Sequence, residues 1–187
     1  MTSTSERVTT SATGAGPGRR VASRITLVGQ GDVAASSDPG EEMRALLGSC
    51  VSICLHDPVA RVGGMTHTVH ADLTRLGDAV PLNDYERVFN AVMKLGASRE
   101  TVRASVVGGG HVTASRKAVG AGLAAFIIRV LEREGLPIDR IETGGRHARR
   151  LRFSPVAGTL AVIALPEGRT DAVRARAAPP GPFVELF

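Results

Sequence analysis

Two side chains near the middle of the chain have the chemistry needed to attack an amide. Cys50 lies in the segment Leu-Gly-Ser-Cys-Val at residues 47–51, and His67 ends the segment Gly-Gly-Met-Thr-His at residues 63–67. A cysteine thiolate is a strong nucleophile, and a neighbouring imidazole lowers the pKa of the thiol. The same imidazole can protonate the departing nitrogen. The pair is therefore the minimum equipment for covalent catalysis on an amide.

The spacing predicts that two neighbouring strands bring these side chains together. Residues 50–56 alternate in strand fashion, and residues 63–70 predict a second strand after a turn at Asp57-Pro58. A hairpin centred between Pro58 and Val59 places Cys50 directly opposite His67, with Cβ atoms roughly 4.5–5.5 Å apart. A loop one residue longer would place Thr68 opposite Cys50 instead.

Gly48 and Ser49 precede the cysteine, and this pattern predicts backbone amides that stabilise a developing negative charge. A glycine there lets the backbone turn sharply, so that amide N–H groups near Cys50 point at a bound carbonyl oxygen. Gly48 and Ser49 are therefore the predicted backbone part of an oxyanion hole.

Three other interpretations of these residues compete with catalysis. A cysteine in a strand is often only a small buried apolar residue. A disulfide to Cys54 is rejected, because four residues along a strand separate Cα atoms by roughly 13 Å, about twice what the bond tolerates. A metal site is disfavoured, because strand alternation sends His67 and His70 to opposite faces. The other histidines are expected in turns or at the surface: His56, His111 and His147.

The surrounding pattern predicts one α+β domain at residues 21–166 with an extended segment at each end. Residues 1–20 are predicted to form a disordered arm, and residues 167–187 a tail rich in Pro, Ala and Arg. Helices are predicted at residues 83–95, capped by Asn83, and at residues 115–134. Further strands are expected at residues 25–28, 101–107, 151–153 and 159–165. Because the helices do not alternate strictly with strands, the pattern favours α+β over a doubly wound sheet.

Composition disfavours two classes of partner. Aromatic residues make up 3% of the chain, which argues against nucleic-acid binding by base stacking. The formal net charge of +5 is too small to indicate a nucleic-acid partner by itself. The longest apolar run, residues 118–128, is about half of what a membrane span needs. No membrane insertion is expected, and two cysteines without a leader predict thiols in the reducing cytoplasm.

At these motifs the chain resembles the CheD family, the chemoreceptor glutamine deamidases of bacterial chemotaxis. The similarity covers roughly residues 25–165 and includes residues 28–31 (VGQG), 107–110 (VGGG), and 143–145 (TGG) followed by Arg149. The resemblance implies a layered α/β sandwich, similar to the catalytic domain of cytotoxic necrotizing toxins. It implies that Cys50 attacks glutamine carboxamides of receptors, with His67 as base and with no cofactor or metal. The implied partners are chemoreceptor cytoplasmic domains and a CheC-type phosphatase.

The chain departs from the family pattern at the position that orients the histidine. The family carries a threonine five or six residues before the cysteine, where this chain has Ala45 and Arg44. The third member of a triad is therefore unknown from sequence, with Thr66, Thr68 or a backbone carbonyl as alternatives. The competing hypothesis is a binding module that engages receptors or the phosphatase without releasing ammonia.

One basic cluster is a candidate docking surface for acidic receptor helices. A solvated strand edge is the preferred interpretation of these residues. The cluster consists of Arg146, Arg149, Arg150 and Arg152.

Overall fold

A computed structural model describes residues 6–9, 24–69, 79–111 and 119–166. Within these ranges the chain forms ten strands and two helices. The strands are β1 Glu6–Thr9, β2 Arg24–Leu27, β3 Val33–Ser36, β4 Glu41–Leu47, β5 Val51–Asp57, β6 Val62–Thr66, β7 Arg103–Gly108, β8 Ile138–Thr143, β9 Arg149–Ser154 and β10 Thr159–Ala164. The helices are α1 Ala79–Lys94 and α2 Val119–Arg133.

The strands form two mixed sheets that stack in layers with the helices. The larger sheet has the order β1-β3-β6-β5-β7-β8, and the smaller has the order β10-β9-β4-β2. Three pairs are parallel, namely β1 with β3, β2 with β4, and β7 with β8; the other pairs are antiparallel. Both helices pack on the larger sheet. The predicted α+β layered sandwich is confirmed.

Strand β5 separates two hydrophobic cores because its side chains alternate. Val51, Ile53 and Leu55 face the helices in one core. Cys54 faces the smaller sheet in the other core, together with Cys50 just before the strand. Because a central strand buries both faces, nearly every residue of β5 is apolar or small. The second core is the layer in which the cysteines lie.

The C-terminal ends of the two helices agree with the sequence-based prediction, whereas the start of α1 does not. Gly96 and Gly135 both have positive φ, at 102° and 70°, and each ends a helix as predicted. Helix α1 begins at Ala79, so the predicted start capped by Asn83 is wrong. Pro81 lies in the first turn of α1, where a residue without an N–H costs nothing. The predicted start of α2 at residue 115 lies outside the described residues.

Four strands were not expected from the sequence, namely β1, β3, β4 and β8. Strands β3 and β4 use residues of low β-propensity, since β3 is Val-Ala-Ala-Ser and β4 contains Glu, Met, Arg, Ala and Leu. These segments are strands because the stacked sheets need a buried face, which Met43, Ala45 and Leu47 provide in β4. Strand β8 at the edge of the larger sheet was missed as well.

The described part of the N-terminal segment belongs to the larger sheet. Residues 6–9, part of the predicted disordered arm, form the edge strand β1 against β3. They therefore differ from that prediction, while the rest of residues 1–20 and the tail at 167–187 lie outside the described residues. Neither described helix is long and apolar enough to cross a membrane.

Asp57 fixes the turn between β5 and β6. One carboxylate oxygen accepts the amides of Val59 and Ala60 at 2.8 and 2.9 Å. The other accepts the Ser98 amide at 2.8 Å and the Thr101 hydroxyl at 2.6 Å. Burial acts to raise the pKa of Asp57, but these four donors outweigh it and lower the pKa from 3.8 to about 2. The turn at Asp57-Pro58 is confirmed, and it spans residues 58–61.

Replacing Asp57 by alanine should lower stability in a pH-dependent way. At pH 7 we expect a loss on the order of 2 kcal/mol, since charged acceptors make the stronger hydrogen bonds. The folded pKa lies below the unfolded value, so this stabilisation is complete above about pH 4 and is lost as pH falls through about 2. Urea unfolding of wild type and Asp57→Ala at pH 7, 4 and 2.5 measures the difference.

The matched control is Asp139→Ala, which removes a carboxylate that is about half exposed and paired with Arg103. That variant should change stability by less than about 1 kcal/mol. A gap between wild type and Asp57→Ala that stays constant from pH 7 to 2.5 would contradict the assignment.

Candidate functional site

Cys50 lies between β4 and β5, at the end of the layer between the two sheets. Its side chain is 7% exposed and packs with Val28, Leu47 and Val107. Neither Cys50 nor Cys54 forms a disulfide. The nucleophile predicted from the sequence therefore lies at a strand entry, close to the surface but largely covered.

A turn of three glycines clasps the backbone at Cys50. The Gly109 amide donates to the Cys50 carbonyl at 2.8 Å, and the Gly110 amide donates to the Gly48 carbonyl at 2.9 Å. Gly108 has φ +121°, and a Cβ there would stand 2.2 Å from the Cys50 carbonyl oxygen. Only glycine permits this approach, since any side chain would push the two segments apart.

This clasp sets the direction of the amides at residues 49 and 50. In a trans peptide the N–H points opposite to the C=O of the same unit. Because the Gly48 carbonyl faces Gly110, the Ser49 N–H points away from the glycine turn. The Ser49 carbonyl faces Gly120 of α2, 2.9 Å from where a Cβ would lie, so the Cys50 N–H points away from that helix. The predicted role of Gly48 and Ser49 in an oxyanion hole stays a prediction.

His67 follows β6 and is held on its other side by the turn at residues 28–32. Its amide donates to the Asp32 carbonyl at 3.0 Å, and its carbonyl accepts the Gly31 amide at 2.8 Å. The ring Nδ1 lies 3.0 Å from the Val28 carbonyl oxygen, which can only accept, so Nδ1 carries the proton. Nε2 is buried, and within the part of the chain that the structure describes it has no hydrogen-bond partner.

The environment of His67 favours the neutral ring. Burial lowers its pKa from 6.5, while the Val28 carbonyl and the negative charge of Asp32 act in the opposite direction. The net direction is downward. With Nδ1 protonated and the ring neutral, Nε2 has a lone pair that can accept a proton, as a general base requires.

The predicted register between the two strands is wrong by two residues. Cys54 pairs with Met65, and Val51 forms a bridge with Thr68, so Cys50 does not lie directly opposite His67. The loop is longer than predicted because the Asp57 carboxylate binds two amides within it, and Arg61 adopts a positive φ of 57°. An even shift preserves the face on which each side chain lies. His67 is therefore on the same face as Cys50, two residues before the position directly opposite it.

A second observation supports the shared face. His67 bonds the Val28 carbonyl, and Val28 packs in the same core cluster as Cys50. Diagonal neighbours on one face of a sheet have Cα atoms roughly 7–8 Å apart, which long side chains bridge. The structure thus brings the two predicted side chains to one side of the larger sheet.

The Val28 carbonyl contacts the His67 ring at the point where the sequence left the orienting group open. Ala45, at one of the two positions of the family threonine, is apolar and buried in the core. Thr66 accepts the Ile53 amide at 3.0 Å, and Thr68 bonds Asp84 of α1, so both hydroxyls are engaged away from the ring. Residues 28–31 were noted in the sequence only as a family motif. Their contacts with His67 are visible only in the tertiary structure.

The other sulfur and imidazole groups do not join this site. Burial raises the pKa of Cys54 to about 12, so its thiol is unreactive at neutral pH. The His56 ring lies 2.9 Å from the Pro155 carbonyl, at the opposite end of β5. Among residues 24–69, 79–111 and 119–166, no three metal-ligating side chains converge. His70 lies outside the described residues.

The four arginines of the predicted basic cluster do not form one surface. Arg149 is largely buried, and its Nη2 donates to the Gly144 carbonyl at 2.6 Å. Arg152 is exposed and pairs with Glu42 at 2.6 Å. Arg146 and Arg150 are exposed. Strand alternation along β9 removes Arg149 from the cluster, because Arg149 points inward with Leu151 and Phe153, while Arg150 and Arg152 lie on the exposed face.

Comparison with known proteins identifies the family of the chain. The probable chemoreceptor glutamine deamidase CheD of Rhizobium leguminosarum bv. trifolii is 37% identical over 183 residues, which cover 89% of this chain and 97% of the relative. The chain belongs to the CheD family. The probable chemoreceptor glutamine deamidase CheD of Caulobacter vibrioides is 38% identical over 175 residues, covering 90% and 91% of the two chains.

A family model agrees with this membership. The family model described as CheD chemotactic sensory transduction matches residues 85–163, a region that begins after both Cys50 and His67. Among solved structures, the hypothetical protein YfiH of Bacillus licheniformis has a TM-score of 0.41 and 16% identity, covering 65% of this chain and 59% of its own. That structural likeness is too distant to bear on function. The resemblance to CheD stated from the sequence is confirmed.

Replacing Gly108 by alanine should disrupt the clasp at Cys50. The strained φ and the contact with the Cys50 carbonyl together should cost at least about 2 kcal/mol. The matched control is Gly122→Ala on the exposed face of α2, where a Cβ meets nothing within 4 Å. That change should stabilise the protein by up to about 1 kcal/mol, since alanine is the better helix former. Urea unfolding measures both, and equal effects would contradict the clasp.

Replacing Asp32 by asparagine should lower the pKa of His67 further. The Asp32 charge acts to raise this pKa, and asparagine removes the charge while keeping an acceptor for the Gly29 amide. NMR titration of the His67 ring measures the pKa directly. The control is Asp38→Asn, whose carboxylate binds the Gly40 amide in the next turn. An unchanged or raised His67 pKa in Asp32→Asn would refute this electrostatic coupling.

Proposed function

We propose that this protein is a protein-glutamine deamidase that converts glutamine to glutamate on chemoreceptor cytoplasmic domains. The relatives named above are called probable chemoreceptor glutamine deamidases. The observation that carries the proposal is the state of His67, whose Nδ1 donates to the Val28 carbonyl while its buried Nε2 has no hydrogen-bond partner among the described residues. A base prepared in this way, on the face that bears Cys50, fits a thiol mechanism on an amide.

The first half of the reaction forms a thioester. His67 Nε2 accepts the Cys50 thiol proton, and the thiolate attacks the side-chain carboxamide carbon of a receptor glutamine. Negative charge develops on the carboxamide oxygen, where the amides of residues 49 and 50 are the proposed donors. His67 then returns its proton to the nitrogen, the C–N bond breaks, and ammonia leaves.

The second half releases the product with the same two residues. His67, neutral again, accepts a proton from water, and the water oxygen attacks the thioester carbon. The C–S bond breaks, the thiolate is protonated by His67, and the receptor side chain leaves as glutamate. One water is consumed and one ammonia is released, and the enzyme returns to its starting state.

The Val28 carbonyl also bears on the binding-module alternative. That alternative rested on the absence of the family threonine at residues 44 and 45. A backbone carbonyl that orients Nδ1 does the work that the side chain would do, so the missing threonine does not by itself imply a lost activity. Binding to a CheC-type phosphatase remains part of the proposal, as does a cytoplasmic location, where those receptor domains lie.

Replacing Cys50 by alanine should abolish deamidation. The assay incubates the protein with a receptor cytoplasmic fragment and follows the mass gain of glutamine-to-glutamate conversion in its peptides. Cys50→Ala should show no conversion above the rate without enzyme, and His67→Gln should lose at least about 100-fold, since general acid–base catalysis is worth that much.

The matched control is Cys54→Ala, which makes the same substitution at an inert thiol within β5, four residues further along the chain. It should keep deamidase activity even if its stability falls. Conversion by Cys50→Ala at the wild-type rate would refute the proposed nucleophile. Complex formation without any conversion by wild type would favour the binding module.

A further inference from the structure

A buried ion pair on α1 lies beneath the strands that carry the site. Asp84 and Arg87 are one turn apart on the helix, with Arg87 Nη1 3.4 Å from Asp84 Oδ1. The Asp84 side chain is 5% exposed and that of Arg87 is 17% exposed. Charges removed from water cost free energy unless they are well paired, so such a pair is weak evidence for stability. Its contacts give a better account of why it is present.

The arginine of this pair holds the turn that binds His67. Arg87 Nη1 donates to the Gly31 carbonyl at 3.1 Å. The Gly31 amide in turn donates to the His67 carbonyl at 2.8 Å. The same turn provides the Val28 carbonyl that receives the His67 ring proton. Arg87 therefore acts on the position of the imidazole through one intervening residue.

The aspartate of this pair reaches the strand next to the nucleophile. The Thr68 hydroxyl, which donates to Thr66 Oγ1 at 3.1 Å, also lies close enough to the Asp84 carboxylate to lower its pKa, against the larger effect of burial, which raises it. Thr68 and Val51 exchange both backbone hydrogen bonds, at 3.0 and 2.8 Å. Val51 directly follows Cys50 in the chain, and Thr68 directly follows His67. Asp84 is thus linked to the backbone that carries both side chains.

We propose that the Asp84–Arg87 pair is a positioning device that sets the imidazole of His67 relative to the thiol of Cys50. Neither side chain touches the reacting atoms, so both are positioning residues. The proposal rests on the proposed function for its catalytic consequence, but the geometry it describes is independent of the substrate. A rigid helix underneath two loosely paired segments compensates for the absence of a side chain that orients the ring directly.

Arginine suits this position better than lysine would. Nη1 of its planar guanidinium serves the Gly31 carbonyl and the Asp84 carboxylate together, while the buried Nη2 has no hydrogen-bond partner among the described residues. A lysine ammonium keeps the charge but lacks the fixed fork. The proposal therefore predicts a graded loss, with Arg87→Lys between wild type and Arg87→Met.

The test measures the reactivity of Cys50 without any receptor. Iodoacetamide alkylates thiolates, and mass spectrometry of the peptide that contains Cys50 gives its rate between pH 5 and 9. We expect Arg87→Met to alkylate more slowly at pH 7 by on the order of tenfold or more, because small displacements of reacting groups carry large rate penalties. Its alkylation profile should shift toward higher pH, since a displaced imidazole stabilises the thiolate less.

Two controls separate positioning from a general loss of structure. Arg103→Met removes an exposed ion pair with Asp139, at the end of β7 far from Gly108, and should leave Cys50 reactivity unchanged. Asp32, the charged group that acts on His67 from the turn, is the same in all variants. Thermal unfolding is recorded in parallel, and alkylation is compared at temperatures where each variant is folded.

The outcomes also separate this proposal from the proposed function. Lowered stability in Arg87→Met with a wild-type alkylation profile would overturn the positioning role. If Arg87→Met does not fold, Arg87→Lys decides the question, because wild-type reactivity in that variant would overturn the proposal as well. The expected loss of Cys50 reactivity in Arg87→Met, together with no deamidation by wild type, would reject the deamidase proposal while leaving the positioning proposal in place.

Discussion

The hydrogen bond from His67 Nδ1 to the Val28 carbonyl is the contact on which the proposed chemistry depends. It fixes the ring orientation and the tautomer together, so the buried Nε2 is left as a proton acceptor. Burial keeps the ring neutral by lowering its pKa. A backbone carbonyl does this as well as a side chain, but it must be held by the surrounding fold. The turn at residues 28–32 therefore has to be as rigid as a strand.

The layered architecture provides that rigidity on both sides of the larger sheet. On one side, α1 holds the turn through Arg87 and the neighbouring strand through Asp84. On the other side, Cys50 packs between the sheets, and the glycine turn at residues 108–110 clasps its backbone. Each of these supports comes from a different part of the chain. A site assembled in this way tolerates changes in single side chains, such as the absent threonine, when another element supplies the contact.

The hairpin between β5 and β6 shows why a wrong register did not misplace the site. The loop is two residues longer than expected because the Asp57 carboxylate binds amides within it. Side chains of a strand alternate with a period of two, so an even shift leaves every residue on its predicted face. An error of one residue would have turned His67 toward the helices. The predicted face therefore survives, while the predicted direct opposition of Cys50 and His67 does not.

The amino-acid sequence by itself determined the layered α+β class, the family and the turn at Asp57, and it singled out the two candidate site residues, because alternation, turn chemistry and motif spacing are local signals. It did not determine β3 and β4, whose residues have low β-propensity and become strands only where stacked sheets need a buried face. Nor did it determine what orients His67. Val28 and Gly31 lie far before His67 in the sequence, Asp84 and Arg87 lie after it, and the three segments come together only in the folded chain. Backbone carbonyls carry no sequence signature, so only the tertiary structure decided that one of them bonds the His67 ring.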